Sequence, residues 1–161
     1  MEIRHKGIRI VLWILLIGSM LVLSRYILFK KGLSYYKQHF TKEYRRYSIR
    51  EGWENANTKP FSTIRLYSFG NVTTRERYKN IGGNLIGFFP LGFLIPLLFI
   101  RVRGVIKVTA VVFLISLLFE ITQLLFGLGE FDVDDLILNA AGGTAGYLLY
   151  FILKWFYNLS R

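Results

Sequence analysis

The sequence contains no cysteine and only two histidines, His5 and His39, among its 161 residues. The lack of cysteine excludes disulfides, a thiol nucleophile and thiolate metal sites, although it does not identify the cellular compartment. Both histidines lie in basic, polar segments. We therefore expect neither a histidine-based catalytic triad nor a metal site built from several histidines.

Acidic residues are also scarce, since 10 Asp and Glu stand against 21 Lys and Arg and give a net charge of +11. In a soluble protein this balance would suggest nucleic acid as the partner. Here 53% of the residues are hydrophobic, mean hydropathy is +0.38, and the basic residues flank long apolar runs. We therefore expect membrane lipids and anionic or lipid-linked envelope polymers as partners, and no nucleic acid.

Four apolar runs are long enough to cross a membrane, namely residues 10–29, 81–100, 108–126 and 136–156. About 20 helical residues span the ~30 Å hydrocarbon core. The sequence therefore predicts an all-α integral membrane protein with four transmembrane helices in a single membrane domain, residues 1–161. Pro90 and Pro96 lie inside the second run and are expected to kink it.

The first run has the basic start and apolar centre that a signal peptide also has. A cleaved signal peptide is therefore the alternative to a transmembrane helix. No small-x-small cleavage site follows, because Ser24 precedes Arg25, Tyr26 and Ile27. Arg25 lies within about one turn of the end, where its side chain can reach the interface. We expect a retained helix.

Residues 30–79 form a long loop with twelve Lys or Arg and four Glu. Tyr36, Phe40, Tyr44 and Tyr47 recur at helical spacing, which predicts an amphipathic helix suited to the membrane interface. The alternative is that this helix packs on the protein's own loops. Residues 55–60 are rich in turn formers, and residues 61–69 are too short and polar to span.

The short loops predict the orientation. Basic residues gather at both termini and in the 101–107 loop, whereas the 127–135 turn is acidic. The positive-inside rule then places both termini in the cytoplasm of a cell-membrane protein. The basic 30–79 loop would lie outside, against the rule, and we give the short loops more weight.

Polar residues of separate segments should meet at one membrane face. Because successive spans alternate in direction, the start of the second, the end of the third and the start of the fourth lie at the same face. Glu120 lies inside the third run, where an ionisable group costs at least ~2.5 kcal/mol unless it is paired or hydrated. The candidate catalytic residues are Glu120, Asp132 and Asp135, and the candidate binding residues are Asn80, Asn84, Gln123, Asp134 and Asn139.

Three interpretations of these residues remain open. Glu120 and the aspartates could hold a divalent cation that grips a phosphate, although the sequence identifies no metal or cofactor. Glu120 could instead act as a general acid or base on a lipid-linked substrate. In the third interpretation, Asp134 or Asp135 caps the fourth helix and the other side chains only hydrogen-bond between helices. The Gly142-to-Gly146 spacing indicates close helix packing and is compatible with a homo-oligomer.

Four ordered blocks resemble the VanZ-like family of membrane proteins, and the similarity covers most of residues 55–150. The blocks are Asn57-x-x-Pro60-Phe61-x-Thr63-Ile64, Asn80-x3-Asn84-x3-Phe88-x-Pro90-x-Gly92, Phe119-Glu120-x-x-Gln123, and Asp132-x-x-Asp135-x3-Asn139-x-x-Gly142-Gly143-x-x-Gly146. Many relatives carry an arginine in the turn before the Asp motif, where this chain has Leu128, Gly129 and Glu130. Any basic group at the site would then come from the 30–79 loop.

The resemblance implies a multi-spanning bacterial cell-membrane protein. Relatives are associated with lowered susceptibility to lipid-tailed glycopeptide antibiotics such as teicoplanin, so lipoglycopeptides join the expected partners. It implies no established reaction. The matching positions are Asn80, Asn84, Glu120, Gln123, Asp132, Asp135 and Asn139.

Two functions are therefore predicted as alternatives. The first is a non-catalytic protein that alters antibiotic or wall-polymer interactions at the cell surface. The second is a membrane enzyme that acts on a lipid-linked phosphate or glycan through Glu120 and the Asp132–Asp135 carboxylates. A small transporter is less favoured, because the sequence shows no inverted repeat.

Overall fold

The computed structural model describes residues 5–39 and 41–159. Its helices in chain order are α1 (Lys6–Ile27), α2 (Leu33–His39), α3 (Lys42–Glu54), α4 (Ser62–Phe69), α5 (Thr74–Arg77), α6 (Gly83–Leu98), α7 (Val105–Phe126) and α8 (Val133–Leu159). A π-helical turn, Tyr78–Gly82, joins α5 to α6, and a short 3-10 turn, Ile100–Val102, follows α6.

Four helical segments of the described chain are long and apolar enough to cross a membrane: Lys6–Ile27, Thr74–Leu98, Val105–Phe126 and Val133–Leu159. This confirms the predicted fold class. The helix continues through Pro90 and Pro96. The second segment starts before the predicted residue 81, because a capping box fixes its first turn. The Thr73 hydroxyl accepts the Glu76 N–H, and the Glu76 carboxylate accepts the Thr73 N–H.

The loop between the first two spans corrects the predicted amphipathic helix over Tyr36–Tyr47. This segment forms two helices, α2 and α3, separated by Thr41 in an extended conformation. The break lets His39 turn inward, so that its Nε2 atom lies 2.8 Å from the carbonyl oxygen of Phe126 at the end of α7. His39 is therefore buried rather than surrounded by polar loop residues. Phe40 lies outside the described residues.

The sequence left open whether this segment lies at the membrane interface or packs on the protein's own loops, and α3 has features of both. Its Gly52 packs against the carbonyl oxygen of Gly129, and its Ile49 backbone packs against Gly127, so one side covers the α7–α8 turn. Tyr47 and Trp53 of the same helix are 65% and 60% exposed. The helix is thus bound to the protein's own loop and still presents aromatic side chains outward.

The apolar core lies between α1, α6 and α7. It consists of Leu23, Phe88, Leu91, Ile95, Val108, Val112 and Phe119. Helix α1 packs mainly on α6 and leaves most of its apolar surface exposed, as expected of a helix that faces lipid.

Helices α6 and α8 approach each other most closely, through glycines. A Cβ atom at Gly142 would overlap the backbone of Leu85, and one at Gly146 would overlap the backbone of Phe89. Gly92 and Gly143 meet in the same interface. The Gly142-to-Gly146 spacing therefore serves packing within the chain. This close contact sets the position of the first turn of α8, where the candidate site lies.

Candidate functional site: carboxylates at one end of the bundle

The α7–α8 turn is joined to the loop that precedes α4. The backbone N–H of Asn57 donates to the carbonyl oxygen of Phe131 at 2.8 Å, and the N–H of Val133 donates to the Asn57 carbonyl oxygen at 3.0 Å. These two bonds make an isolated parallel bridge between Asn57 and Asp132. Segments 75 residues apart in the sequence therefore form one surface.

Asp132 connects this bridge to the start of α8. Its Oδ1 atom accepts hydrogen bonds from the Asn57 side-chain amide at 2.8 Å and from the Asp134 backbone N–H at 2.8 Å. The second bond satisfies an N–H group in the first turn of α8, as an N-cap side chain does. Asp132 therefore caps the fourth span, a role that one of the three open interpretations of the sequence had given to Asp134 or Asp135.

Asp134 is completely buried and caps a different helix, α4. Its two carboxylate oxygens accept backbone N–H groups from Phe61 at 2.5 Å, from Thr63 at 2.7 Å and from Ile64 at 3.0 Å. The unsatisfied N–H groups at a helix start need such acceptors, and the helix dipole favours a negative charge there. Asp134, which was predicted as a binding residue, thus uses both of its carboxylate oxygens to hold α4.

Glu120 of α7 holds the backbone of the neighbouring turn. Its side chain is only 3% exposed, and its Oε2 atom accepts the N–H of Asp132 at 2.9 Å. Beside it, the side-chain amide of Asn84 donates to Oδ1 of Asp135 at 2.5 Å. Side chains of α6 and α7 therefore both contact the start of α8.

The remaining predicted residues lie around this cluster. Gln123 donates from its side-chain amide to the carbonyl oxygen of Ile27 at 3.1 Å, and so binds α7 to the end of α1. Asn139 donates to the hydroxyl oxygen of Ser116 at 2.8 Å, deeper between α7 and α8. The side-chain oxygen of Asn80 is buried in the π-helical turn without a hydrogen-bond partner in the described part of the chain.

Lys30 is the basic residue that the sequence analysis did not identify. It follows the end of α1, where Gln123 of α7 donates to the carbonyl oxygen of Ile27, so it lies at the same end of the bundle as Glu120. The α7–α8 turn contains Leu128, Gly129 and Glu130 and no basic residue, and Lys30 is the first residue of the loop to which the sequence analysis assigned any basic group. In the sequence, Lys30 could have been recognised as a candidate because it directly follows the apolar run of residues 10–29.

Three spanning helices thus contribute to one polar cluster, which consists of Asn84 on α6, Glu120 on α7, and Asp132 and Asp135 at the start of α8. Within residues 5–39 and 41–159, no group of three or more His, Cys, Asp or Glu is placed to hold a metal ion. The divalent-cation interpretation therefore finds no preassembled set of three such ligands there. The arrangement can accept hydrogen bonds and attract positive charge.

The chain is similar to known proteins over most of its length. The sequence model of the VanZ/LLP1 family matches residues 11–154. The protein named VanZ from Enterococcus faecium is 36% identical over 78 residues, which are 48% of this chain and 48% of that protein. The chain therefore spans about half the length of this curated relative. No solved structure matches significantly. Because the family match includes well over half of its residues, the chain belongs to the VanZ/LLP1 family.

Proposed function

We propose that this protein acts in the bacterial cell membrane and lowers susceptibility to teicoplanin and related lipid-tailed glycopeptides. Family membership and the similarity to the Enterococcus faecium VanZ protein support this function. One structural observation carries it: Asn84 of α6, Glu120 of α7, and Asp132 and Asp135 at the start of α8 form a polar cluster at one end of the bundle. A polar cluster at membrane depth is costly to maintain, and this favours a functional role.

The proposed orientation places the cluster at the outer face. The short 101–107 loop carries Arg101, Arg103 and Lys107 and lies at the opposite end of the bundle. By the positive-inside rule that end is cytoplasmic, together with both termini. Lipid-tailed antibiotics and lipid-linked wall precursors would then reach the cluster from the outer leaflet.

The second candidate function is an enzyme that acts on a lipid-linked phosphate or glycan. It is supported by Glu120 and Asp135, because each uses one carboxylate oxygen in hydrogen bonds to the protein. The other oxygen of each remains available for a proton or a substrate group. An enzyme would change the amount of a lipid-linked intermediate, whereas a binding protein would not.

The experiment compares teicoplanin susceptibility in a bacterial host that expresses wild-type protein, Glu120→Gln, Asp135→Asn or Glu130→Gln. Glu130 is exposed and lies in the same turn, so its variant is the matched control for loss of a carboxylate. We expect protection from wild type and from Glu130→Gln, and loss of protection in the two cluster variants at equal membrane abundance. Absence of protection from the wild type would refute the proposal.

Mass spectrometry of the lipid-linked wall precursors in the same strains separates the two candidates. A precursor that changes in abundance with wild type and Glu130→Gln, but not with Glu120→Gln or Asp135→Asn, indicates an enzyme. Unchanged precursors together with protection support the non-catalytic function.

A further inference from the structure

Helix α4 presents a face that no other part of the described chain covers. Its partly buried residues, which face the protein, are Thr63, Ile64, Tyr67 and Ser68. Arg65, Leu66 and Phe69 lie on the opposite side by helical spacing, and all three are exposed. Leu66 is 53% and Phe69 86% exposed, and both line an open surface depression together with Arg65. We call Arg65, Leu66 and Phe69 the α4 face.

Phe61, directly before α4, adds another exposed aromatic ring. Its φ angle is 67°, in the left-handed region that favours Gly or Asn and is rare for a bulky side chain. The ring is 62% exposed, so it contributes little to the packing of the protein. Neither backbone geometry nor internal packing therefore accounts for a phenylalanine at this position. A contact with something outside the chain does account for it.

Both ends of α4 are held at the membrane surface. At its start, the N–H groups of Phe61 and Thr63 donate to the carboxylate of Asp134, the second residue of α8. The α7–α8 turn joins two spans and therefore lies where the hydrocarbon core ends. At the other end of α4, residues 70–73 lead directly to the second spanning segment, which begins at Thr74. The α4 face is thus fixed at the depth where lipid chains meet headgroups.

Charge determines which partner fits this face. Five basic residues and one acidic residue lie between positions 59 and 79: Lys59, Arg65, Arg75, Arg77 and Lys79 against Glu76. Helix α4 contacts α5 and the π-helical turn, which carry the last three of these basic residues. Arg65 itself has no ion pair or side-chain hydrogen bond within residues 5–39 and 41–159. A second copy of the chain would bring like charges together, whereas anionic lipid headgroups would attract them.

We propose that α4 is an interfacial helix that docks on the anionic lipid surface next to the bundle. Phe61, Leu66 and Phe69 insert among the upper parts of the lipid chains, and Arg65 binds the phosphate of an anionic headgroup. Apolar side chains at this depth, beside a long basic side chain that reaches the headgroups, are typical of such helices. The lipid contact is independent of the proposed action against teicoplanin, so either can fail without the other.

Spin labels in the full-length protein test the lipid contact, since an introduced cysteine is unique in this chain. The labelled variants are Phe69→Cys on the α4 face, Ser68→Cys on the covered side of α4, and Leu21→Cys at an exposed position within the first span. In nanodiscs of phosphatidylcholine and phosphatidylglycerol, collisions with oxygen report hydrocarbon, and collisions with a water-soluble nickel chelate report water. We expect oxygen to dominate at positions 69 and 21, and both kinds of collision to be fewer at position 68. Dominant nickel collisions at position 69 would overturn the proposal, as would dipolar coupling between the labels of two copies.

An environment-sensitive fluorophore on Phe69→Cys tests the contribution of charge. Raising the phosphatidylglycerol fraction of the nanodiscs should shift its emission to the blue as the helix settles deeper. With Arg65→Gln added, about fivefold more phosphatidylglycerol should be needed for the half-maximal shift, which is the effect of one basic residue near an anionic surface. Arg101→Gln, in the loop at the opposite end of the bundle, is the matched control and should leave the response unchanged. An emission that does not respond to phosphatidylglycerol, or that responds equally with Arg65→Gln, would overturn the proposal.

Soluble glycerol phosphate distinguishes a lipid surface from a free phosphate group. It carries an anionic phosphate like that of phosphatidylglycerol but has no lipid chains. When it is added to nanodiscs of phosphatidylcholine alone, we expect the emission of the same fluorophore to stay unchanged. A blue shift equal to that caused by phosphatidylglycerol would show that Arg65 takes a soluble phosphate, and would overturn the assignment to a lipid surface.

Discussion

The carboxylate of Glu120 accepts the backbone N–H of Asp132 at 2.9 Å, across the turn that joins the third and fourth spans. A side chain buried in one membrane helix thus fixes the backbone that enters the next. The other carboxylate oxygen of this residue has no hydrogen bond from residues 5–39 and 41–159. Different substitutions of Glu120 can therefore separate its role in holding this turn from its proposed role in function.

Glu120→Gln should fold normally, because the amide oxygen can still accept the Asp132 N–H, and removal of a buried charge offsets the weaker bond. Glu120→Leu should lower the free energy of unfolding by about 1–3 kcal/mol, since the N–H of Asp132 then loses its acceptor. The midpoint of thermal unfolding in detergent measures the stability of each variant. Similar midpoints for the two variants would show that the hydrogen bond contributes little.

Asp134→Ala should release α4 from the bundle without disturbing the four spans. The substitution removes acceptors for three backbone N–H groups, and loss of a helix cap costs about 0.5–2 kcal/mol. Hydrogen–deuterium exchange should become faster in residues 61–69 and stay unchanged in the core of α7. Glu54→Gln, at an exposed carboxylate of α3, is the control. Unchanged exchange in α4 would mean that other contacts hold it.

Gly142→Leu should prevent normal assembly of α6 on α8. Even a Cβ atom at this position overlaps the backbone of Leu85, which cannot move away without displacing α6. The matched control is Gly18→Leu, because a Cβ atom at Gly18 meets nothing within 4 Å. We expect much less Gly142→Leu protein in the membrane fraction after expression, with Gly18→Leu close to wild type. Equal abundance and equal thermal stability would contradict the packing.

The lack of native cysteine permits a direct test of orientation, because any introduced thiol is the only one in the protein. Arg46→Cys on exposed α3 and Arg101→Cys in the short basic loop lie at opposite ends of the bundle. In intact cells, a membrane-impermeant maleimide should label the Arg46→Cys variant and leave the Arg101→Cys variant unlabelled. The reverse pattern would place the carboxylate cluster at the cytoplasmic face.

The length of the apolar runs predicted the four spans, since a membrane of fixed thickness requires about 20 apolar residues per helix. Helical rise also predicted that Asn84, Glu120 and Asp135 would lie at one level. The loop contacts could not be predicted in this way. Asp134 reaches α4, and His39 reaches the end of α7, through backbone groups that every residue carries. No local pattern identifies which backbone group a distant side chain will bind.

The contacts of Asp134 with α4 also determine the order in which the protein can be completed during synthesis. Its partners, Phe61, Thr63 and Ile64, precede it by 73, 71 and 70 residues. The ribosome makes α4 long before the residue that caps it, and two further spans are produced in between. The surface segment therefore acquires its final hydrogen bonds only when the last helix enters the membrane. A truncation before residue 133 would leave α4 uncapped even if the first three spans were correctly inserted.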